Sequence, residues 1–582
     1  MKRKHIIRVM LLLAGLGIIT VALFAYQLGL DNDAGWGRGR WLILAAGVVT
    51  ALFGASDWIL PYLYRLPWVG GIRFLVEPDN EGVHSRQSVK GSGVLSDFIL
   101  TILFIGAVLL YGWVITVGRF DRFPPGKDYY GLLTQAFQHG QAHLLVEPEL
   151  ELLQLENPYD YEQRKNVPHL WDITLYDGKY FLYWGPAPAV LGVIFSSVTL
   201  QPVTDSGLVF ALVVGTALFS VLLLRRVSID AGLPAWLYWG GVLSLLVNIP
   251  LIWMLTRPKY YEVATAGGLC FMVMGFYFFH LAFRSGVVRN MHLVLASLSL
   301  GLAAASRMSL IPGIALLAAL MAWKIYVQRK GQGPTAIIAS WLAAALPLAL
   351  AAVSMAWYNF IRFGSILEFG FTYTLTGPTL SPLAADVFSP RYTLANLYTY
   401  FFRPPSIGAE FPFVWLDWIR EDMWPVFLRL PEGYYYTDPV AGVFLMVPVI
   451  GLTVLFAVRS MWRWLNGDLS MSDHHPIGLL LVALAGYFAL QTGVLVVFAA
   501  SNIRYLVDIA QELILLAVVF SGTYLPVFAV NRFQKGTVAI LWWLAVLATL
   551  SMGLLIGLTG DRNLFLNQNP QLYYQLAEWF SR

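Results

Sequence analysis

The carboxylates that could do chemistry lie near one polar stretch of an otherwise apolar chain. Asp128 begins the stretch DYYGLLTQAFQHGQAHL, Asp172 lies further on in WDITLYDGKYFLYWGPAP, and Asp121 precedes both. A carboxylate in a fixed position can accept the proton of an attacking hydroxyl group and so act as a general base. We therefore rank Asp128 first, Asp172 second and Asp121 third as catalytic candidates, and interpret the acids at 147–156 as a solvated face.

Each of these carboxylates also has a purely structural interpretation. Asp128 lies where the N-cap of a following helix is expected, and N-cap side chains accept hydrogen bonds from unpaired amides. Asp172 and Asp177 can be ordinary turn residues. The catalytic interpretation gains weight from the whole set, because several acids and Lys179 precede one apolar segment.

Cationic side chains occur where other apolar segments end. Arg257 and Lys259 lie in TRPKYYEVA, Arg307 in ASRMS and Arg504 in SNIRYLVD. A guanidinium group matches the oxygens of a phosphate in a bidentate geometry. The structural alternative is a long side chain that snorkels to the membrane interface. We predict that an anionic substrate is bound by these cations and their neighbours: Lys179, Arg257, Lys259, Glu262, Arg307, Arg504 and Tyr505.

The composition determines which elements can hold these side chains. Of the 582 residues, 58% are hydrophobic and 12% are charged, whereas about a quarter of an ordinary soluble domain is charged. We therefore predict an all-α polytopic membrane protein with about 13 transmembrane helices, each with about 20 apolar residues. The expected spans are 8–28, 41–60, 98–117, 206–224, 234–255, 261–283, 291–305, 309–327, 337–357, 438–458, 477–499, 506–530 and 537–560.

Other classes are disfavoured by the same composition. The net charge of +4 comes without a basic patch interleaved with aromatic residues, so nucleic acid is not expected as a partner. The single cysteine, Cys270, lies in an apolar segment. It allows neither a disulfide within the chain nor a cysteine metal cluster.

The distribution of basic residues predicts the orientation in the membrane. The N-terminal segment MKRKHIIRVMLLLAGLGIIT has a basic start and a long apolar run without a small-residue cleavage site, which indicates an uncleaved signal anchor with a cytoplasmic N-terminus. Short basic loops then fall on the cytoplasmic side, and the long loops 118–205 and 358–437 fall outside. We expect a multi-pass protein of the plasma or inner membrane with its active site, residues 126–180 and 364–435, and a short tail, 561–582, on the outer face.

Two segments of the first outer loop differ from a simple connection. Residues 128–145 show helical periodicity with one apolar face, which suits a helix lying along the membrane surface. Residues 180–200 are apolar enough to cross, but a full crossing would place Arg225 and Arg226 outside. Because glycine and proline interrupt this segment, we interpret it as a partial or re-entrant element. The alternative is an ordinary span followed by one basic loop on the wrong side.

In their order along the chain, these features resemble the GT-C superfamily of membrane glycosyltransferases, whose relatives include protein O-mannosyltransferases and the bacterial aminoarabinose transferase. The stretch DYYGLLTQAFQHGQAHL is similar to the juxtamembrane helix of that family's acidic first outer loop, with Tyr130, Phe137 and Gly140 at matching positions. Three further stretches resemble sequence motifs that recur in bacterial members: GLAAASRMSLIPGIALL, WYNFIRFGSILEFG and RYLVDIAQELILL. The resemblance covers roughly residues 98–530, so we expect an N-terminal addition at 1–97 and a GT-C-like domain at 98–560.

The resemblance implies a glycosyltransferase with a polyprenyl-phosphate sugar as donor. It implies an acceptor hydroxyl on a lipid, glycan or protein, inversion at the sugar, and contact with membrane lipids. No cofactor is certain: any metal ligands are unknown, and a divalent cation, Mg²⁺ or Mn²⁺, is left open. Two alternatives come from other classes, a lipid or polysaccharide flippase or transporter, and a polysaccharide polymerase or ligase. A transporter would be expected to show internal repeats and charges near mid-bilayer.

Overall fold

A computed structural model describes most of the chain. The described residues are 93–121, 123, 126–377, 387–419, 424–432, 434–436, 439–465, 477–528, 531–561 and 563–581, with scattered positions between 11 and 50. Two compact units are present, Met1–Phe123 and Pro124–Arg582. The domain boundaries expected from the sequence at 97 and 560 remain predictions. The predicted spans 8–28 and 41–60 lie mostly outside the described residues.

Long apolar helices dominate the described residues. In the first unit, α1 spans Gly93–Ile115. The helices of the second unit are α2 Tyr129–Gln138, α3 Ala187–Thr199, α4 Asp205–Ala231, α5 Ala235–Leu246, α6 Ile249–Thr256, α7 Tyr260–Phe283, α8 Asn290–Ala304, α9 Ile311–Arg329, α10 Pro334–Phe363, α11 Pro448–Leu465, α12 Gly478–Val496, α13 Ile503–Phe528, α14 Arg532–Thr559 and α15 Pro570–Ser581.

Eight helical segments of the described residues are long and apolar enough to cross a membrane. This confirms an all-α, multi-pass membrane protein, while the count of 13 spans remains a prediction. The apolar helices α3 and α8 are shorter than the about 20 residues that a crossing requires. The 13-residue length of α3 agrees with a partial element at 180–200. The predicted span 438–458 begins later than expected, because its helix starts at Pro448.

The predicted span 234–255 is interrupted by Asn248. Its helix stops at Leu246, and a second helix, α6, begins at Ile249 with Pro250 in its first turn. The Asn248 side chain accepts a hydrogen bond from the amide of Leu251 (3.2 Å) and donates to Gln511 of α13 (3.1 Å). The side chain therefore satisfies backbone groups that the interruption leaves unpaired, which a buried break in a membrane requires.

Short elements shape the loops. Strand β1, Thr174–Tyr176, pairs antiparallel with β2, Lys179–Phe181. The loop after α10 contains β3, Ser406–Ile407, antiparallel to β4, Val414–Trp415, and β5, Tyr435–Tyr436, which pairs in parallel with β6, Ala500–Ser501. Single turns of helix occupy Leu150–Leu153, Tyr161–Arg164, Arg284–Gly286, Met308–Leu310, Phe371–Tyr373, Pro390–Tyr392, Thr393–Leu397, Tyr398–Phe402, Val443–Met446 and Leu564–Gln568.

The central helix is α7, in which nearly every side chain is buried. At its start, the Ser206 hydroxyl of α4 donates to the Pro258 carbonyl (3.4 Å). At its far end, Arg284 contacts Asp230 of α4. The helices α4 and α7 therefore run side by side in the same direction, and the bundle has two ends with different chemistry.

Candidate active site

Asp128 and Asp205 attach the loop 118–205 to the bundle by capping each other's helices. Oδ1 of Asp205 accepts hydrogen bonds from the amides of Tyr130 (2.9 Å) and Gly131 (3.2 Å) at the start of α2. In return, Oδ1 of Asp128 accepts a hydrogen bond from the amide of Asp205 (3.0 Å) at the start of α4. Because the first amides of a helix have no partner within it, each carboxylate satisfies donors that would otherwise stay unpaired.

Asp128 occupies the N-cap position of α2, but the interpretation of its side chain as the cap of that helix is wrong. Its backbone is left-handed, with a φ of 47°, and its side chain makes no capping hydrogen bond to α2. A Cβ atom on Gly131 would lie 2.7 Å from the carbonyl oxygen of Val203, so glycine is required for this close approach. Burial raises the pKa of Asp128, and the hydrogen bond from the Asp205 amide opposes the rise.

Replacing Asp205 by Ala should destabilise the protein. The change removes the acceptor for two amides at a fully buried position. We expect the free energy of unfolding to fall by about 2 kcal/mol, the upper end for a helix cap. Thermal unfolding of the purified protein in detergent measures the loss. Asp205→Asn, which keeps an acceptor oxygen, should have little effect.

The matched control for this change is Glu149→Ala. Glu149 also precedes a helix in the same loop, but its side chain makes no capping hydrogen bond. Its replacement should leave the melting temperature nearly unchanged. Equal melting temperatures for the Asp205→Ala and Glu149→Ala variants would show that the reciprocal caps contribute nothing to stability.

Asp172 lies within the loop 118–205 and contacts the start of α7. Its backbone is left-handed, with a φ of 58°, and its amide donates to the carbonyl of Leu375 (2.9 Å). Its Oδ2 atom accepts hydrogen bonds from the hydroxyls of Tyr261 (2.5 Å) and Tyr183 (3.4 Å). The half-buried carboxylate is therefore held by two hydroxyls, and the Asp172 residue also contacts two segments that are distant in sequence, at Tyr261 and Leu375.

Tyr261 connects Asp172 with Arg504. The guanidinium carbon of Arg504 lies 4.0 Å from the centre of the Tyr261 ring, a cation–π contact. Burial raises the pKa of Asp172, while the Tyr261 hydroxyl, the charge of Arg504 and the Tyr183 hydroxyl oppose this rise. The net direction is upward, which makes this carboxylate a stronger base than an exposed aspartate.

Aromatic rings surround this contact. Tyr129 stacks on Tyr260 with the ring centres 4.3 Å apart, and the Tyr129 hydroxyl donates to the carbonyl of Trp171 (3.0 Å). Trp184 packs edge-on against Tyr261 at 5.0 Å. Tyr129 and Tyr260 are buried, whereas Trp184 and Tyr261 are partly exposed and offer apolar ring faces beside charged groups. Such a surface suits a molecule that carries both apolar faces and hydroxyl groups, as a sugar does.

Arg307 and Asp508 form an ion pair inside the bundle. The Arg307 Nε atom lies 2.7 Å from the Asp508 carboxylate, and the two side chains are 11% and 1% exposed. Arg307 also donates to the Thr265 hydroxyl (2.9 Å), and its guanidinium carbon lies 5.5 Å from the centre of the Tyr505 ring. Loss of one partner from a buried pair is strongly destabilising, so this pair fastens α13 to the turn between α8 and α9, and the Thr265 contact connects that turn with α7. Substrate binding by Arg307 and Tyr505 remains a prediction.

The other predicted binding residues lie at two places, the turn before α7 with its first helical turn, and the start of β2. Arg257 forms an ion pair with Asp561, with Nε and Oδ2 3.6 Å apart. Lys259 is exposed just before α7, and Glu262 is buried in the first turn of that helix. Lys179 is exposed at the start of β2. Their roles in binding remain predictions.

The structure brings some of the candidate residues together and separates others. Asp172 and Arg504 meet through one tyrosine, whereas Asp128 is engaged with Asp205. Asp121 is exposed and belongs to the first unit.

Four residues of this region were not predicted from the sequence: Tyr183, Tyr261, Asp205 and Lys127. Tyr261 lies in KYYE, between two residues that were selected for charge, so a search for hydroxyl groups would have found it. Asp205 immediately precedes the predicted span 206–224. Lys127 lies in the field of Asp172: burial lowers the pKa of Lys127, and the carboxylate opposes this shift.

Within the described ranges, no group of three or more His, Cys, Asp or Glu side chains could hold a metal ion. Asp128 and Asp205 supply two neighbouring carboxylates, and Oδ2 of Asp205 is buried without a hydrogen-bond partner. A Mg²⁺ ion commonly binds to one or two carboxylates plus substrate phosphate oxygens. The two residues therefore fit a divalent cation only if a substrate completes its ligands.

Comparison with known proteins gives one distant similarity. No protein-family model and no curated protein matches the chain. Among solved structures, the chain is similar to the crystal structure of the Archaeoglobus fulgidus oligosaccharyltransferase in the apo form, with a TM-score of 0.39 and 13% sequence identity. The match covers 82% of this chain and 55% of that chain, so this chain spans about half the length of the archaeal protein. Similarity at this level leaves the function to be inferred from the residues themselves.

Proposed function

We propose that this protein transfers a sugar from a polyprenyl-phosphate donor to an acceptor hydroxyl at the membrane surface. The observation that carries the proposal is the contact of Tyr261 with both Asp172 and Arg504. One side chain thus orients a base for the acceptor and a cation for the donor phosphate. On these grounds Asp172 takes first place as the base, ahead of Asp128, whose carboxylate holds the start of α4.

The proposed reaction is a single displacement. The acceptor oxygen attacks the anomeric carbon of the sugar, and its proton passes to the carboxylate of Asp172. The bond between that carbon and the phosphate oxygen breaks on the opposite face, so the sugar is inverted. Polyprenyl phosphate leaves with the bonding electrons, and Arg504 stabilises the charge that develops on it. Asp128 and Asp205 would hold a divalent cation, which supplies further positive charge to that phosphate when it is bound.

Two apolar grooves beside α10 support a lipid-linked donor. One, of about 670 Å³, lies between α8 and α10. Pro186 and Ala187, at the start of α3, also line it, and Ala339 is the first of its α10 residues. Its α10 wall, from Ala339 to Met355, extends about 24 Å at the helical rise of 1.5 Å per residue. The other groove, of about 410 Å³, also lies along α10. An isoprenoid chain has the apolar surface that such walls would bury.

Transfer from a defined donor tests the proposal. Purified protein is given a synthetic polyprenyl-phosphate sugar and a set of hydroxyl acceptors, and released polyprenyl phosphate is measured together with the new glycoside. A transferase forms both products in equal amounts. A flippase or transporter would move the lipid across a vesicle membrane without releasing polyprenyl phosphate, and that result would refute the proposal.

The rate of sugar transfer should fall at low pH, because Asp172 becomes protonated. The base form is lost as the pH falls through its pKa, and burial raises that pKa. We therefore expect the acidic limb of kcat/KM to lie above the value of about 3.9 that is usual for an aspartate. Arg504→Gln removes a charge that lowers this pKa, so the limb should move to higher pH. Glu149→Gln, an exposed charge change in the same loop, should leave the limb in place. A limb that does not respond to Arg504→Gln would exclude Asp172 as the titrating base.

A further inference from the structure

A basic cluster lies at the end of the bundle opposite to the candidate active site. It consists of Arg225 and Arg226 near the end of α4, Arg284 just after α7, and Arg289 just before α8. Asp205 and Arg226 are separated by about 31 Å along α4, at a rise of 1.5 Å per residue. This distance equals the thickness of the hydrocarbon core, about 30 Å. The basic cluster and the candidate active site therefore lie at opposite membrane surfaces.

One carboxylate organises the basic cluster. Asp230 lies 2.8 Å from Nε of Arg284, 2.9 Å from Nε2 of His280 and 3.8 Å from Nε of Arg226. The Asp230 side chain is 9% exposed, and those of Arg226 and Arg284 are each 17% exposed. These charges are largely removed from water, so an unbalanced charge here has a high desolvation cost.

Positive charge exceeds negative charge in three segments that lie at this end of the bundle. Residues 221–232, 276–292 and 324–334 contain Arg225, Arg226, Arg284, Arg289, Lys324, Arg329 and Lys330, and their single carboxylate is Asp230. Some of these groups also satisfy carbonyls. Arg289 donates to the carbonyl of Arg284 (3.0 Å), and Arg329 donates to that of Val288 (3.0 Å). Such hydrogen bonds leave the net positive charge unchanged.

Aromatic side chains mark this end as a membrane interface. Trp323, Tyr326 and Trp341 are 54%, 53% and 41% exposed. Trp341 donates to the carbonyl of Ala322 (3.2 Å), and the Lys324 ammonium lies 5.8 Å from the centre of the Trp323 ring. Exposed tryptophan and tyrosine side chains are typical of the headgroup region of a bilayer. A phospholipid headgroup is therefore an anion that can reach the cluster at this interface.

We propose that the basic cluster binds the headgroup of an anionic phospholipid. The guanidinium groups of Arg225 and Arg226 would contact its phosphate, since guanidinium donors match phosphate oxygens. Arg284 holds Asp230, which fixes the end of α4 against α7. A bound anionic lipid would balance the excess charge and stabilise the junction of these helices. The proposal is independent of the reaction assigned to the other end.

Binding of phosphatidylglycerol to the full chain tests this proposal. The protein is placed in nanodiscs of phosphatidylcholine with and without phosphatidylglycerol, and bound lipid is counted by native mass spectrometry. We expect retention of phosphatidylglycerol over phosphatidylcholine and a higher melting temperature when it is present. Arg225→Gln and Arg226→Gln should each weaken retention about fivefold, the factor expected for one surface charge.

The controls separate a built site from general attraction to basic protein. Arg532→Gln removes the same charge from an exposed position at the start of α14 and should change retention less than twofold. Asp230→Asn removes the negative charge and should strengthen retention if the variant folds; Arg225→Lys, which keeps the charge, should retain lipid with intermediate strength. Equal losses in the Arg532 and Arg225 variants, no preference over phosphatidylcholine, or equal stabilisation by inorganic phosphate in detergent would overturn the proposal.

Discussion

Replacing Asp172 by Asn should slow sugar transfer by at least about two orders of magnitude, because a general base contributes typically 10²–10⁴-fold. The variant should fold normally. Asn is among the residues that tolerate the left-handed backbone at this position, and its amide oxygen can still accept a hydrogen bond from Tyr261. The rate of polyprenyl phosphate release under saturating acceptor measures the effect.

The control for this variant is Asp177→Asn. Asp177 is also left-handed, with a φ of 48°, and is exposed in the turn between β1 and β2. It shares the residue type, backbone conformation and loop of Asp172, so its replacement should leave the rate within about twofold, as for surface changes in general. Asp121→Asn completes the series and should retain most activity, whereas Asp128→Asn, which changes a proposed ligand of the divalent cation, should slow transfer less than Asp172→Asn does. A large loss in the Asp128 variant with normal transfer by the Asp172 variant would reverse our ranking of the two bases.

Hydropathy predicted most helices of the second unit because each crossing needs a continuous apolar run. The predicted spans 206–224, 261–283 and 337–357 all lie within observed helices. Where a predicted span differs from the observed helices, a polar side-chain contact determines where the helix breaks, and the spacing of apolar residues does not. The interruption at Asn248 depends on Gln511, which is far away in sequence. No local pattern could have indicated that partner.

The helix after Asp128 shows why exposure could not be read from the sequence. An apolar face predicted a helix lying on the membrane surface, but α2 ends at Gln138 and also buries Tyr130 and Thr134. Its further sides are covered by α3 and by the start of α4. Helical periodicity shows which residues share a face, but the covering elements come from distant parts of the chain.

The sequence predicted which types of residue form the candidate site, but it predicted only in part which of them lie together. Carboxylates and arginines were selected because their charge is unusual in an apolar chain. Tyr261 has no such signal, yet its hydroxyl and ring contact Asp172 and Arg504. Conversely, Arg307 was selected for phosphate binding, and the structure pairs it with Asp508, 201 residues away. Pairing of charges is a property of the tertiary fold.

Replacing Arg504 by Ala should slow transfer by about 10²–10³-fold, the loss expected when a group that stabilises developing negative charge is removed. The effect should be largest at low donor concentration, because the same guanidinium contributes to binding of the phosphate. Arg504→Lys should restore part of the rate, since an ammonium keeps the charge but cannot bind two oxygens as a planar fork. Donor binding is measured separately with a non-transferable phosphonate analogue.

The control for Arg504→Ala is Arg391→Ala. Arg391 is exposed in the loop 358–437, and its guanidinium carbon also lies over a tyrosine ring, 4.7 Å from the centre of Tyr392. If loss of a stacked arginine alone disturbed the protein, both variants would be impaired. Tyr261→Phe provides a second comparison, because it keeps the ring beneath Arg504 and removes the hydroxyl from Asp172. It should shift the acidic limb of the pH profile upward while donor binding is preserved. Donor affinity and turnover that remain normal in Arg504→Ala would leave this arginine without a role in phosphate stabilisation.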